Sequence, residues 1–179
     1  MASHENSLSR SASKSHVRVW NTRRESNILG LQGNICCAYE RLGRLDEALV
    51  LRKEVYSGYV KLLGESDRDT LLAASNYAAS LRDLRRFEEA RVVLRKTMPV
   101  ARRVFGNCNL TTLRMRKIYA SALCADPAAT LNGFREGVTT FEDTERTARR
   151  VLGGAHPFTT AIERELQDAR AALRARESS

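Results

Sequence analysis

The amino-acid sequence predicts an all-α fold: a solenoid of antiparallel helix pairs closed by a C-terminal capping helix. Three observations predict it. The chain matches itself at an offset of 42 residues, with Asn34 on Asn76, Ala48 on Ala90, Gly64 on Gly106, Thr70 on Thr112 and Ala78 on Ala120. Apolar residues recur in steps of three and four, the spacing that gathers them on one side of a helix. Leu, Ala, Arg and Glu dominate, with only three prolines and 6% aromatics, a mix that suits helices and starves a sheet. One helix pair cannot bury both of its faces, so a repeat of this length must stack pair upon pair.

Residues 1–25 hold five basic and two acidic side chains among many serines. They read as a disordered or extended tail, and the same composition also fits an organellar targeting segment. Residues 26–64 form the first unit. Its helices break at Leu42-Gly43-Arg44, and Leu45, Ala48, Leu51 and Val55 face one way on the second helix. Residues 65–106 form the second unit. Leu71, Ala74, Tyr77, Ala78 and Leu81 line its first helix, and a break falls at Leu84-Arg85-Arg86. Phe87, Ala90, Val93, Leu94 and Thr97 line its second helix. Pro99 removes a backbone hydrogen bond there and is expected to kink or loosen the helix. Gly64, Gly106 and Gly153 are placed to end helices, and Asp69 and Thr111 to cap the helices that follow.

Residues 107–152 form a degenerate third unit with five extra residues, so Gly106 recurs as Gly153. Asp126-Pro127 reads as a helix start, followed by an apolar row at Leu131, Phe134, Val138, Phe141, Ala148 and Leu152. Gly133 and Gly137 argue against one straight helix. Residues 153–179 form the capping helix. Pro157 suits its first turn; Ile162, Leu166, Ala169 and Leu173 face inwards, and a charged flank faces out, as an end helix requires.

The formal charge of +9 is spread without a clustered stripe or interleaved aromatics, so nucleic-acid binding is not expected. Cys36, Cys37, Cys108 and Cys124 form no Cys-x-x-Cys pair, which argues against a metal; Cys36 and Cys37 read as small packing residues, and reduced thiols suit an intracellular, cytoplasmic setting. No apolar run approaches the ~20 residues that span a bilayer. No acid pair, nucleophile triad or phosphate loop is present, so neither catalysis nor a cofactor is expected. His156-Pro157 belongs to a helix start.

These residues resemble the tetratricopeptide repeat, in the 42-residue form found in kinesin light chains. The first unit carries the pattern at Ile35, Cys36, Tyr39, Gly43, Leu45 and Ala48, and the second at Tyr77, Ala78, Leu81, Arg85, Phe87 and Ala90. The third keeps Tyr119, Ala120 and Leu123. The inter-repeat phrase stands best at Leu152, Gly153, His156, Pro157 and Thr159. The resemblance covers residues 27–172. It implies a right-handed solenoid and a non-catalytic protein-binding module, with first helices lining a concave groove.

In that register the groove positions are Asn34, Cys37 and Arg41, then Ser75, Asn76, Ala79, Arg82 and Asp83, then Arg114, Lys117, Ser121 and Cys124. The resemblance implies that Asn34 and Asn76 bond a peptide's main chain, for which an amide offers both donors and an acceptor. Arg82, Arg114 and Lys117 suit an acidic partner. The implied partner is a protein or peptide, and the surplus of positive charge biases that choice towards acidic segments. The alternative is a structural or linker subunit of a larger complex.

Overall fold

A computed structural model describes the backbone of residues 2–178 and the side chains of residues 20–178. The described residues form seven helices and no strand. These are α1 (Ala2–Arg41), α2 (Leu45–Leu63), α3 (Arg68–Asp83), α4 (Phe87–Phe105), α5 (Leu110–Cys124), α6 (Leu131–Leu152) and α7 (Pro157–Glu177). Each helix packs on its successor, α3 also packs on α5, and α5 touches α7. The result is three antiparallel pairs and a closing helix, an all-α solenoid. Helical backbone begins at Ala2, so α1 runs through the segment read as a tail, where neither Pro nor Gly precedes Gly30. The side chains of residues 1–19 lie outside the described residues.

The pairs are joined by turns of one design. Gly64, Gly106 and Gly153 follow α2, α4 and α6 with φ of 86°, 87° and 89°, a region that favours glycine. Three further residues then lead to the next helix each time. Asp67 and Asn109 cap α3 and α5, accepting hydrogen bonds from the backbone N–H of Asp69 and Thr111 at 2.8 Å. The expectation that Asp69 and Thr111 are the caps is therefore two residues too late. A carboxylate or amide reaches the N–H two positions onward, so the capping side chain precedes the donor. His156 caps α7 through Nδ1, which accepts from the N–H of Phe158 at 3.1 Å, with Pro157 in the first turn.

Ala48, Ala78, Ala90 and Ala120 are all fully buried. These small residues sit where neighbouring helices cross, so the apolar interior runs unbroken along the stack. One cluster joins Leu71, Ala74, Leu94, Met115, Ile118 and Tyr119, and the next joins Leu113, Phe134, Phe141, Ile162 and Leu166.

The start and the course of α6 differ from the sequence-based expectation. Asp126-Pro127 does not start α6. Asp126 closes a turn with the N–H of Ala128 at 2.9 Å and pairs with Arg91. The helix starts after Thr130, whose hydroxyl accepts from the N–H of Gly133. The glycines do not break it either. A methyl at Gly137 would stand 2.6 Å from Cys124 Sγ and 3.2 Å from the Ala120 carbonyl, so bare backbone there lets α5 and α6 meet. Pro99 also leaves α4 continuous. It lies on the exposed side, where water can satisfy the carbonyl left without a partner.

Candidate functional site

The first helices of successive pairs leave a cleft of about 480 Å³ between α1 and α3. Gly30, Gly33, Asn34, Cys37 and Glu40 of α1 form one wall. Asp69, Leu72, Ala73 and Asn76 of α3 form the other, and Arg114 of α5 closes one end. Arg52, Val55 and Tyr59 of α2 lie beneath. The repeat positions account for this arrangement. Gly30, Leu72 and Arg114 are 42 residues apart in turn, as are Asn34 and Asn76, so equivalent sites on stacked helices stand side by side.

The floor is held by an ion pair across the first helix hairpin. Arg52 donates two hydrogen bonds to the Glu40 carboxylate at 2.7 and 2.9 Å, and Ser80 Oγ donates a third at 3.0 Å. The Arg52 guanidinium holds the Glu40 carboxyl below the usual carboxylate range, with help from the Ser80 hydroxyl. Arg52 is buried; paired in this way, its charge is compensated where it leaves water. Arg52 also contacts Cys37 Sγ at 3.5 Å.

The walls differ from the floor. The side chains of Asn34, Asn76 and Arg114 make no described hydrogen bond or ion pair among the described residues, although they share one cleft with Leu29, Leu72, Val55 and Tyr59. Apolar surface with a few convergent, uncommitted polar groups is what a binding cleft needs.

The remaining expected groove residues are placed otherwise. Arg41 continues the helix line of Asn34 and Cys37 beyond the cleft and is exposed. Arg82 is bonded to its neighbour Asp83 at 2.6 and 2.9 Å. Lys117 and Ser121 both reach Glu165 of α7, at 2.5 and 2.6 Å, so the capping helix occupies that end of the face with its own carboxylate. Ser75 is buried, because α3 is covered by both α2 and α5. Cys37 is exposed rather than packed, and only its neighbour Cys36 is buried. Cys124 lies in a second hollow of about 260 Å³ with Phe134, Phe141 and Glu165, and burial pushes its thiol up to about 12.

Sequence reasoning missed Glu40, Arg52 and Leu72. Leu72 was discoverable, since it stands between Gly30 and Arg114 in the repeat register. The Glu40–Arg52 pair was not, since it is made across a helix hairpin at a separation that follows no helical spacing.

Stacked pairs with small residues at the crossings, glycine-ended second helices and a cleft between first helices define a repeat solenoid of helix pairs. Residues 70–107 match the family model of the tetratricopeptide repeat. The fold is shared with the nearly identical TPR-like repeats of a kinesin light chain candidate from Podosopora anserina. Its point variant superposes with a TM-score of 0.67 at 21% identity, over 84% of this chain and 68% of that one. The parent form gives 0.65 at 21% identity, over 84% and 69%. BtubC (BKLC) from P. vanneervenii is more distant, with a TM-score of 0.53 at 14% identity over 82% of this chain and 64% of that one. No curated protein matches the chain. The fold is thus that of the kinesin-light-chain-like tetratricopeptide solenoids. No described helix is long and apolar enough to cross a membrane.

Proposed function

We propose that the chain is a non-catalytic interaction module that holds an extended peptide in the cleft between α1 and α3. Residues 26–64, 65–106 and 107–152 serve as its three units and residues 153–179 as its cap, with the N-terminal tail of residues 1–25 continuing the first helix ahead of them. The observation that carries the reading is the convergence of Asn34, Asn76 and Arg114 on one partly apolar cleft with their side chains uncommitted. The two amides would bond a peptide main chain, and Arg114 would meet a carboxylate. Arg41 and Arg82 extend the same charge preference at the rim, while Lys117 and Ser121 become available only if Glu165 lets go.

The test is a random-peptide display library panned on the protein, with affinities of the selected peptides then measured for Asn34→Ala/Asn76→Ala. Two hydrogen bonds of about 1 kcal/mol each make the expected loss roughly thirtyfold, with circular dichroism unchanged. Selected peptides that bind the double variant equally well would overturn the reading.

A second reading, a structural or linker subunit of a larger complex, is favoured by one observation. A row of large apolar side chains on α1, including Trp20, Leu31 and Ile35, stands exposed, more than a solitary surface normally shows.

A further inference from the structure

The middle of that row, from Ile28 to Ala38, has a counterpart in the later repeats. Trp20, Ile28, Leu31, Ile35 and Ala38 lie within one narrow arc of α1, at about 100° per residue, and Leu42 follows directly after the helix; the row spans roughly 33 Å. Trp20 is 75% exposed, Leu31 63% and Leu42 70%. Forty-two residues onward, Ile28, Leu31, Ile35 and Ala38 become Thr70, Ala73, Tyr77 and Ser80, all buried. A further 42 onward they become Thr112, Met115, Tyr119 and Ala122, again all buried. In both cases the cover is the second helix of the preceding pair: α2 lies on α3, and α4 lies on α5. No described helix precedes α1. The opposite end of the stack is finished differently, since the exposed side of α7 carries Arg164, Asp168 and Arg174.

We propose that this face of α1 is a seat for an amphipathic helix of a partner protein, lying where a preceding repeat's second helix would lie and carrying acidic residues along its flanks. The repeat register supplies the geometry: the seat continues a helix-on-helix interface made at every later step of the stack. Charge supplies the chemistry. Arg24 stands within the row, with Arg23 and Arg41 along the side nearer the cleft, while Glu25 alone answers on the other side. Trp20, Arg23, Arg24 and Asn27 also stand together at one end of the seat, which sets two guanidinium groups beside the indole, where a carboxylate would be bound.

The same charges argue against other occupants. Two copies paired antiparallel about the middle of the row would set Arg23 and Arg24 of one beside Arg41 of the other, and like charges across an interface repel. Residues 1–19 hold three basic side chains to one acid, so they suit the seat no better. This inference is independent of the cleft between α1 and α3.

Trp20 is the one tryptophan of the chain, so its emission reports the seat directly. The probes are two tryptophan-free stapled helical peptides with the same Leu and Ala inner face, one flanked by Glu and the other by Lys. The expected result is a saturable blue shift with the Glu peptide, at least tenfold tighter than with the Lys peptide. Leu31→Glu and Ile35→Glu, both on exposed positions, should each abolish it. Arg24→Glu/Arg41→Glu should reverse the preference between the peptides, and Asn34→Ala/Asn76→Ala should leave it unchanged. Equal binding of both peptides, binding of neither, or loss in the asparagine variant overturns the inference. So does a wild-type dimer in sedimentation that Ile35→Glu makes monomeric, because the occupant would then be a second copy.

Discussion

Glu40 shows how one side chain joins fold and cleft. It is on α1, its carboxylate takes two hydrogen bonds from Arg52 of α2, and a third comes from Ser80 of α3. Three helices meet on it. Its folded pKa lies below the unfolded value, which is about 4.3 for a glutamate. The folded state therefore releases the proton more readily, and the contribution of Glu40 to stability is complete above that pH and lost as pH falls through the lower folded value. Glu40→Gln should be less stable than wild type at pH 7, and the difference in urea midpoint should shrink as pH drops from 5 to 3. A difference that stays constant over that range would place the effect elsewhere. The residue scale is also where sequence reasoning was weakest. Asn34, Asn76 and Arg114 could be named because their positions recur with the repeat. Lys117 and Ser121 could be named by the same rule, yet Glu165 of α7 reaches both of them in the folded stack.

At the scale of elements, the breaks were legible because they are chemical. Gly43 turns at φ 73°, and Arg85, its equivalent, does so at φ 60°, so the turn survives where the glycine does not. The helix starts were legible only to within two residues, because Asp67 and Asp69 both satisfy the same composition rule. The α5–α6 junction was misread because glycine has two opposite uses in a helix, and only the neighbouring helix reveals which applies. Gly137 and Gly33 separate the two. A methyl added at Gly33 would meet nothing within 4 Å, so Gly33→Ala should stabilise the protein by up to about 1 kcal/mol through helix propensity. Gly137→Ala gains the same propensity but drives a methyl into Cys124, Leu123 and the Ala120 carbonyl. It should cost about 1–3 kcal/mol. Urea unfolding of the two variants measures both, and a stabilised Gly137→Ala would mean that α5 and α6 do not meet as described.

Across the whole molecule, stability should follow the number of sides on which a helix is covered. α5 is held by α3, α4, α6 and α7, whereas α1 rests chiefly on α2. Contacts in such a stack reach only nearest neighbours, so opening need not involve the whole chain. Hydrogen–deuterium exchange should show the slowest amides in α3 to α5 and markedly faster ones in α1. Occupation of the α1 seat by the Glu-flanked peptide should slow α1 selectively. Uniform protection from α1 to α7 would contradict a stack of semi-independent pairs. The overall architecture was the most legible feature, because a 42-residue offset is a property of the entire chain and does not depend on any one position.

The joints after α2, α4 and α6 share a glycine of nearly equal φ and a linker of equal length. A shared joint means a shared angle, so the chain behaves like a staircase cut from one template. Splicing in a second copy of residues 68–109 would add one tread without changing the pitch. Lengthening by whole units is thus structurally cheap, which is the kind of growth that tandem duplication of a coding segment delivers.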